Sequence, residues 1–393
     1  MILLHEPYLD KNDKRKLIEC LNSGWISTAG PIIYEFEKKI ATYTGAKYVV
    51  ACSSGTSSLK IALKTLNLNV NDEILVPSLT FIASVNSIFY NNLQPYFIDN
   101  DNSYTIDTKK LLFFLQNKTK VKSYKNKKFL INIKSRKIIR AIMAVHTFGN
   151  ASNLEEIFSV CKKYNIHIVE DAAESLGTFY KKGKFKNKHT GTIGTLGCLS
   201  FNGNKIISTG SGGAILTNNS KLASKARYLI SQAKDNNRFF IHNEIGYNYR
   251  LNNIQASLGL SQLKKINKVL KQKKIIHLFY KNFFKKNKFL NISKVPEYAK
   301  NNHWLNILEI NKNISKNKLD KLIINLENQG IQTRPLWHPN HLQKPYKKYK
   351  TDNLDFIESI YLSRLCLPSS PNLTKKNLSY ICLNIEKYIN KLI

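Results

Sequence analysis

The chain is short of acid: 26 Asp+Glu stand against 61 Lys+Arg, a formal net charge of +35 over 393 residues. Glycine (17) and proline (10) are also few, which excludes collagen-like and low-complexity architectures. The 6 cysteines, Cys20, Cys52, Cys161, Cys198, Cys366 and Cys382, form no C-x-x-C pair and have no metal-ligand spacing. They predict reduced, mostly buried thiols of a soluble cytoplasmic protein without a metal centre. Long uncharged apolar runs are missing as well. MILLHEPYLD is apolar only as far as His5 and Glu6, so neither a signal peptide nor a membrane span is expected.

What is present is apolar enough to fold. Hydrophobic residues make up 42 % and aromatics 11 %, too much for a disordered chain. The length suits about two or three domains with a large core. The charge invites a nucleic-acid or anionic-membrane reading. Yet the basic residues run almost end to end, mostly as Lys beside Asn and Ile, which is a compositional bias rather than a binding stripe.

From about Lys47 to Asn218, short β-branched runs alternate with helical patterns, the mark of a parallel sheet covered by helices. Strands are expected at Tyr48–Cys52, Glu73–Val76, Gln94–Ile98, Ile139–His146, Ile166–Glu170, Leu196–Phe201 and Ala214–Thr217. A helix is expected over Ser58–Leu66. Leu154–Tyr164 reads as an amphipathic helix with Leu154, Ile157, Phe158 and Cys161 on one face. The Lys- and Asn-rich stretch from Asn117 to Lys137 predicts a hairpin insertion, with Phe129–Ile133 as one arm. After Leu251 a long helical pattern leads to a smaller α+β unit containing the strand His303–Ile310, the helix Lys318–Asn328 and a C-terminal helix from Lys375. The division expected is 1–251 for a large domain and 252–393 for the linking helix and small domain.

Three segments carry chemistry. Between a strand and a helix, Cys52-Ser53-Ser54-Gly55-Thr56-Ser57-Ser58 sets hydroxyls and free backbone N–H groups where a helix dipole favours an anion. Taken alone, a Ser/Thr N-cap with a tight turn accounts for it. It is neither a Walker loop nor a G-x-G-x-x-G. Second, Val169-Glu170-Asp171-Ala172-Ala173-Glu174-Ser175 brings carboxylates to the carboxyl end of a parallel strand, the edge where open α/β sheets bind ligands. Asp171 there can act as acid or base, pair with a cationic ring nitrogen, or merely cap the next helix. Third, Lys205 lies among small polar residues and ahead of the turn Gly210-Ser211-Gly212-Gly213. A lysine set among strands can form a Schiff base, although an ordinary loop lysine is the plainer account. The combination decides more than its members: an anion cradle, a strand-end carboxylate and a sequestered lysine, in that order, meet the needs of pyridoxal phosphate.

At these residues the sequence resembles the DegT/StrS family of sugar aminotransferases. The motifs are GWISTAGPIIYEFEKKIATYTGAKYVVACSSGTSSLKIAL, VPSLTFIASVNSI, HTFGN, VEDAAESLG, LSFNGNKIISTGSGGAILT, GYNYRLNNIQASLGLSQL and LCLPSSPNLT. The resemblance implies an α/β fold of the type I pyridoxal-phosphate-dependent transferase class (aspartate aminotransferase-like), a large domain with a mostly parallel sheet plus a smaller α+β domain. It implies Lys205 as Schiff-base lysine and proton shuttle, Asp171 on the pyridinium nitrogen, and Glu174 where the family hydrogen-bonds the ring 3-hydroxyl. Phe81 would stack on the cofactor ring, and Gly55, Thr56 and Ser200 match phosphate-binding positions. Asn248 would reach the phosphate from the neighbouring subunit, making a homodimer a requirement; Arg250 would hold its segment or an anionic group. Ser54 stands where Asn is common, and Ser211 where Gly or Glu is usual. Members that dehydrate sugars carry His at the Lys205 position, so lysine implies transamination.

The insertion before HTFG, EPYLD near the start and GIQTRPLWHPNHLQKPY resemble the branch making 4-amino-4,6-dideoxy-N-acetylhexosamines for legionaminic-acid-type or bacillosamine-type pathways. The expected reaction moves the amino group of glutamate, released as 2-oxoglutarate, to C4 of a UDP- or GDP-linked 4-keto-6-deoxy-N-acetylhexosamine. A GDP-linked perosamine-type substrate is the alternative within the chemistry, and a non-catalytic regulator or nucleic-acid binder the alternative outside it. His146, Trp337 and His338 are each assignable to the sugar pocket or to packing. On this reading the positive charge serves, at most, to steer an anionic sugar donor.

Overall fold

A computed structural model describes residues 1–236, 238–312, 314–349, 351 and 353–391. Positions 392 and 393, at the end of the second expected domain, lie outside the described residues. The first sheet uses β1 (Tyr48–Cys52), β2 (Glu73–Pro77), β3 (Gln94–Ile98), β4 (Thr119–Tyr124), β5 (Lys127–Asn132), β6 (Ile138–Val145) and β7 (His167–Asp171). After the two-residue β8 (Phe179–Tyr180) it is completed by β9 (Leu196–Ser200) and β10 (Gly213–Thr217). Its spatial order is β1-β10-β9-β7-β6-β2-β3. β3, β2, β6, β7 and β9 are parallel, and β10 runs antiparallel between β9 and β1. Strands this apolar, such as Ile142–Val145 and Leu196–Leu199, need cover on both faces.

Helices supply that cover: α1 (Lys11–Asn22), α2 (Pro31–Thr44), α3 (Gly55–Thr65), α4 (Ile82–Phe89), α5 (Thr108–Asn117), α6 (Leu154–Lys163), α7 (Ser220–Ile230) and α8 (Asn253–Lys264). In α6 the stripe Leu154, Ile157 and Cys161 is buried and Phe158 packs beside it, as its periodicity predicts. The 117–137 insertion is a hairpin, β4 against β5, and β5 pairs antiparallel with β6, so the insertion widens the sheet.

The departures from the sequence reading are local. Helix α3 begins at Gly55 and not at Ser58, because Ser54 caps it by accepting the Ser57 N–H at 3.0 Å. The helical pattern after Leu251 breaks at Lys265, separating α8 from α9 (Ile266–Phe284). Val269 packs in the first core, while Ile276 and Tyr280 enter a second one. That second core lies on the antiparallel sheet of β11 (Leu290–Ile292), β13 (Asn306–Ile310), β14 (Arg334–Pro335) and β15 (Arg364–Leu367); β12 (Ala299–Lys300) pairs with β8 instead. Strand β13 starts at Asn306, short of the expected His303, whose φ of 52° cannot extend a strand. Helices α10 (Lys316–Asn328) and α12 (Lys375–Asn390), with the short α11 (Asp355–Ile360) between them, complete the region. Leu322 and Ile381 lie in the core under them.

Candidate active site

The carboxyl ends of β1, β2, β6, β7 and β9 meet at one edge of the first sheet. Beyond β1 come Ser54 and Gly55, beyond β2 Thr80, and at the tips of β6, β7 and β9 stand Val145, Asp171 and Ser200. All of them line one cavity of about 620 Å³, together with Thr56, Phe81, Glu174 and Lys205. A ligand at the carboxyl edge of parallel strands is the general expectation for such sheets.

Lys205 is seated in this cavity with its side chain only 13 % exposed. Its Nζ lies 3.4 Å from Glu174 Oε1 and 4.1 Å from the centroid of the Trp304 ring. The Glu174 carboxylate is anchored from the other side, where Oε2 accepts the Phe148 backbone N–H at 2.8 Å. Burial raises the pKa of Glu174 to about 7, against the opposing pull of the Lys205 ammonium and the Phe148 amide.

Asp171 is held on two sides. Ser84 Oγ donates to Oδ2 at 2.6 Å, and the Ala173 N–H donates to Oδ1 at 3.1 Å. The short hydroxyl contact is of the charge-assisted kind. Ser84 comes from α4, whose preceding residue Phe81 is 55 % exposed and meets Trp337 edge-on at 5.8 Å. Also lining the cavity, Gly55 and Thr56 belong to the first turn of α3, whose amides a helix leaves without intrahelical acceptors. Gly55 abuts Ser200 so closely that a Cβ on it would sit 2.8 Å from the Ser200 Cβ.

Not every expected residue is in this space. Asn248 and Arg250 line a separate surface cavity of about 960 Å³ with Tyr34, Glu37 and Arg227. His146 is buried behind the cavity. Its Nε2 pairs with Glu170 Oε2 at 2.9 Å and its Nδ1 accepts the Ser152 N–H at 3.0 Å. Burial opposes ionisation of Glu170, but His146 and the amides of Gly194 and Gly191 overcome it and lower its pKa. Trp337 and His338 do line the cavity. So do His5, Trp304 and Arg334, which carry no motif of their own; of these, only Arg334 falls within a family-like segment, GIQTRPLWHPNHLQKPY. Among the described residues no group of three or more His, Cys, Asp or Glu could hold a metal. All six cysteines are free and buried.

The model of the DegT/DnrJ/EryC1/StrS aminotransferase family matches residues 7–386, and the chain belongs to that family. It is 33 % identical to GDP-perosamine synthase of Caulobacter vibrioides, over 98 % of this chain and 97 % of that protein. To a UDP-4-amino-4,6-dideoxy-N-acetyl-beta-L-altrosamine transaminase of Campylobacter jejuni it is 30 % identical, over 97 % of this chain and 96 % of that protein. The solved structure of Helicobacter pylori PseC, an aminotransferase of pseudoaminic acid biosynthesis, superposes with a TM-score of 0.86 at 26 % identity, covering 99 % of each chain. The protein is thus a pyridoxal-phosphate-dependent sugar transaminase of the type I fold.

The residues present fit that cofactor. The lysine and two carboxylates line one cavity, and so does the N-terminal turn of α3, a place suited to the phosphate. Because a Cβ at position 55 would clash with Ser200, glycine there lets the first turn of α3 pack directly against the tip of β9, both of which line the cavity. No helix among the described residues is long and apolar enough to cross a membrane.

Proposed function

We propose that the chain transfers the amino group of glutamate to C4 of a nucleotide-linked 4-keto-6-deoxy-N-acetylhexosamine in the cytoplasm, giving the 4-amino-4,6-dideoxy sugar nucleotide. The observation that carries this reading is Lys205 Nζ, 3.4 Å from Glu174 in the cavity that also contains Asp171. Bound pyridoxal phosphate supplies an electron sink next to the carbon that loses its proton. Lys205 Nζ takes that proton from the glutamate Cα and, in the second half-reaction, the same nitrogen returns one to sugar C4. Asp171, kept oriented by Ser84 and Ala173, balances a protonated ring nitrogen. Glu174, seated beside Lys205, would meet the ring hydroxyl, and Phe81, at the cavity wall, would cover the ring. Gly55, Thr56 and Ser200 take the phosphate, and Arg334, exposed at the cavity wall, offers a cation to the anionic donor.

The reading includes a homodimer in which Asn248 of the partner subunit completes the phosphate site. Its support is that Asn248 and Arg250 stand apart from Lys205 within one chain. It also keeps the division into a large unit through Leu251 and a smaller unit after it, and places the product in a legionaminic-acid or bacillosamine type of pathway. A GDP-linked perosamine-type substrate is the second reading, favoured by the 33 % identity to the Caulobacter enzyme.

The test is incubation with glutamate and UDP- or GDP-linked 4-keto-6-deoxy sugars, with the product read by NMR. Wild-type protein should give a visible absorbance band with the cofactor that bleaches on adding glutamate. The Lys205→Ala variant should give neither band nor product; full turnover in that variant would refute the assignment.

A further inference from the structure

His5 lines the same cavity as Lys205, yet neither of its ring nitrogens meets a hydrogen-bond partner and both are closed to solvent. Buried polar atoms in folded proteins are nearly always paired, so two orphans on one ring at a ligand cavity demand an account. The ring is not on a loose end. The Ile2 N–H donates to the Gly330 carbonyl at 2.6 Å, and the Ile2 carbonyl accepts from Gln332 N–H at 2.9 Å. The Leu4 N–H donates to Gln332 Oε1 at 2.9 Å, the Leu4 carbonyl accepts from Ser369 N–H at 2.8 Å, and the Glu6 N–H donates to Ser370 Oγ at 2.9 Å. The backbone is pinned on both sides of His5, and the strap holds its side chain at the cavity wall.

Its chemical character follows from its surroundings. Burial, then the ammonium groups of Lys273 and Lys205, hold its pKa well below the usual value, so the imidazole is neutral. A neutral imidazole has one N–H donor and one bare acceptor nitrogen. That pair complements a hydroxyl or an amide, whereas a carboxylate or phosphate calls for a cation. Lys273 does not compete for the role: it is fully buried, its pKa is pushed well down by burial, and its Nζ donates to the carbonyls of Trp304 and Ser369.

We propose that His5 is a specificity-determining residue that hydrogen-bonds a neutral polar substituent, hydroxyl or acetamido, on the sugar ring of the nucleotide-sugar substrate. The proposal rests on the aminotransferase reading above. A site with a buried polar group waiting for its partner rejects analogues that lack that partner far more strongly than an apolar pocket rejects a missing methylene.

Calorimetric titration of the pyridoxamine-phosphate-loaded protein tests it, with UDP-4-amino-4,6-dideoxy-N-acetylglucosamine, GDP-perosamine, and free UDP and GDP as ligands. His5→Phe keeps the ring volume and removes both nitrogens; His5→Asn and His5→Gln each return polar atoms. The Phe variant should bind an amino sugar nucleotide about tenfold more weakly, with binding of the free nucleotide and the glutamate half-reaction unchanged. One of the two amide variants should recover most of the loss. A loss confined to the N-acetylated ligand assigns the acetamido group, and a loss on both ligands assigns a ring hydroxyl. Wild-type affinity in His5→Phe for both ligands, or an equal loss for the free nucleotides, overturns the proposal. Wild-type protein that binds these ligands and never transfers an amino group would instead sink the functional reading, leaving the comparison of variants readable.

Discussion

Trp304 touches the lysine loop twice. Its ring centroid lies 4.1 Å from Lys205 Nζ, and its Nε1–H donates to the carbonyl of Asn204 at 2.6 Å. The first contact offers the ammonium an aromatic face, and the second fixes the main chain one residue before it. Asn302 extends the clamp: its Oδ1 accepts the Trp304 N–H, and its Nδ2 donates to the carbonyls of Glu174 and Leu176. Lysine, carboxylate and indole are thereby one rigid unit.

Trp304→Phe keeps a ring and loses the donor, leaving the Asn204 carbonyl without it. Such a loss costs about 1 kcal/mol or somewhat more. The expected result is a glutamate half-reaction slowed about tenfold with a small fall in Tm, because the geometry of Lys205 is what the clamp protects. Stopped-flow absorbance and a thermal melt check the two parts. An unchanged rate would show that the clamp does not position the amine.

Glu174 makes the stability of the cofactor-free protein depend on pH. Its pKa is about 7 when folded, against an ordinary 4.5, so the folded chain holds the proton more tightly than the unfolded one. The stabilisation is complete below about pH 4.5 and is lost as pH rises through about 7. The size is on the order of 3 kcal/mol across that window. Glu174→Gln keeps a neutral side chain throughout and should flatten this part of the curve. Urea unfolding of both proteins at pH 5 and pH 8 measures it, and parallel curves would contradict the shift.

His146 is expected to matter for folding and not for substrate. It faces Glu170, whose Oε2 also accepts the Gly191 amide at 2.7 Å and whose Oε1 accepts those of Ile193 at 2.7 Å and Gly194 at 2.5 Å. His146→Leu strips one partner from a buried carboxylate, a change that costs roughly 3–5 kcal/mol. Denaturant melts should show that loss, while the Michaelis constants of the protein that remains folded stay at the wild-type values.

Much of this arrangement is legible in the sequence, and unevenly so. Asp171 stands out because strand periodicity says where a carboxyl edge must lie; Lys205, past the end of β9, reads alone as a loop lysine and is singled out only in combination with the Ser54–Ser58 segment and Asp171. The α6 stripe is readable for the same reason. The start of α3 falls three residues before its expected position because Ser54 and Ser57 are equally good caps by composition, and only tertiary packing chooses between them. Lys265 carries no Gly or Pro signal, so the break after α8 leaves no mark. Trp304 and His5 come to the lysine from positions about a hundred and two hundred residues away; Trp304 falls inside the expected strand His303–Ile310, but nothing local to either residue points to Lys205. Long-range convergence of that kind leaves no periodicity behind. Ser84 lies inside the motif VPSLTFIASVNSI, but its partner Asp171 is 87 residues distant.

The strap around His5 also sets a schedule for folding. Residues 2, 4 and 6 find their partners at Gly330, Gln332, Ser369 and Ser370. During vectorial synthesis residues 2–6 therefore wait unpaired until the segment from Gly330 to Ser370 has emerged. The parallel sheet, with Asp171 and Lys205 already encoded in it, can assemble long before. A nascent chain would then hold the sheet edge of the cavity first; the wall with Trp304, Arg334 and Trp337 follows, and residues 2–6 close it last although they precede the sheet in the chain.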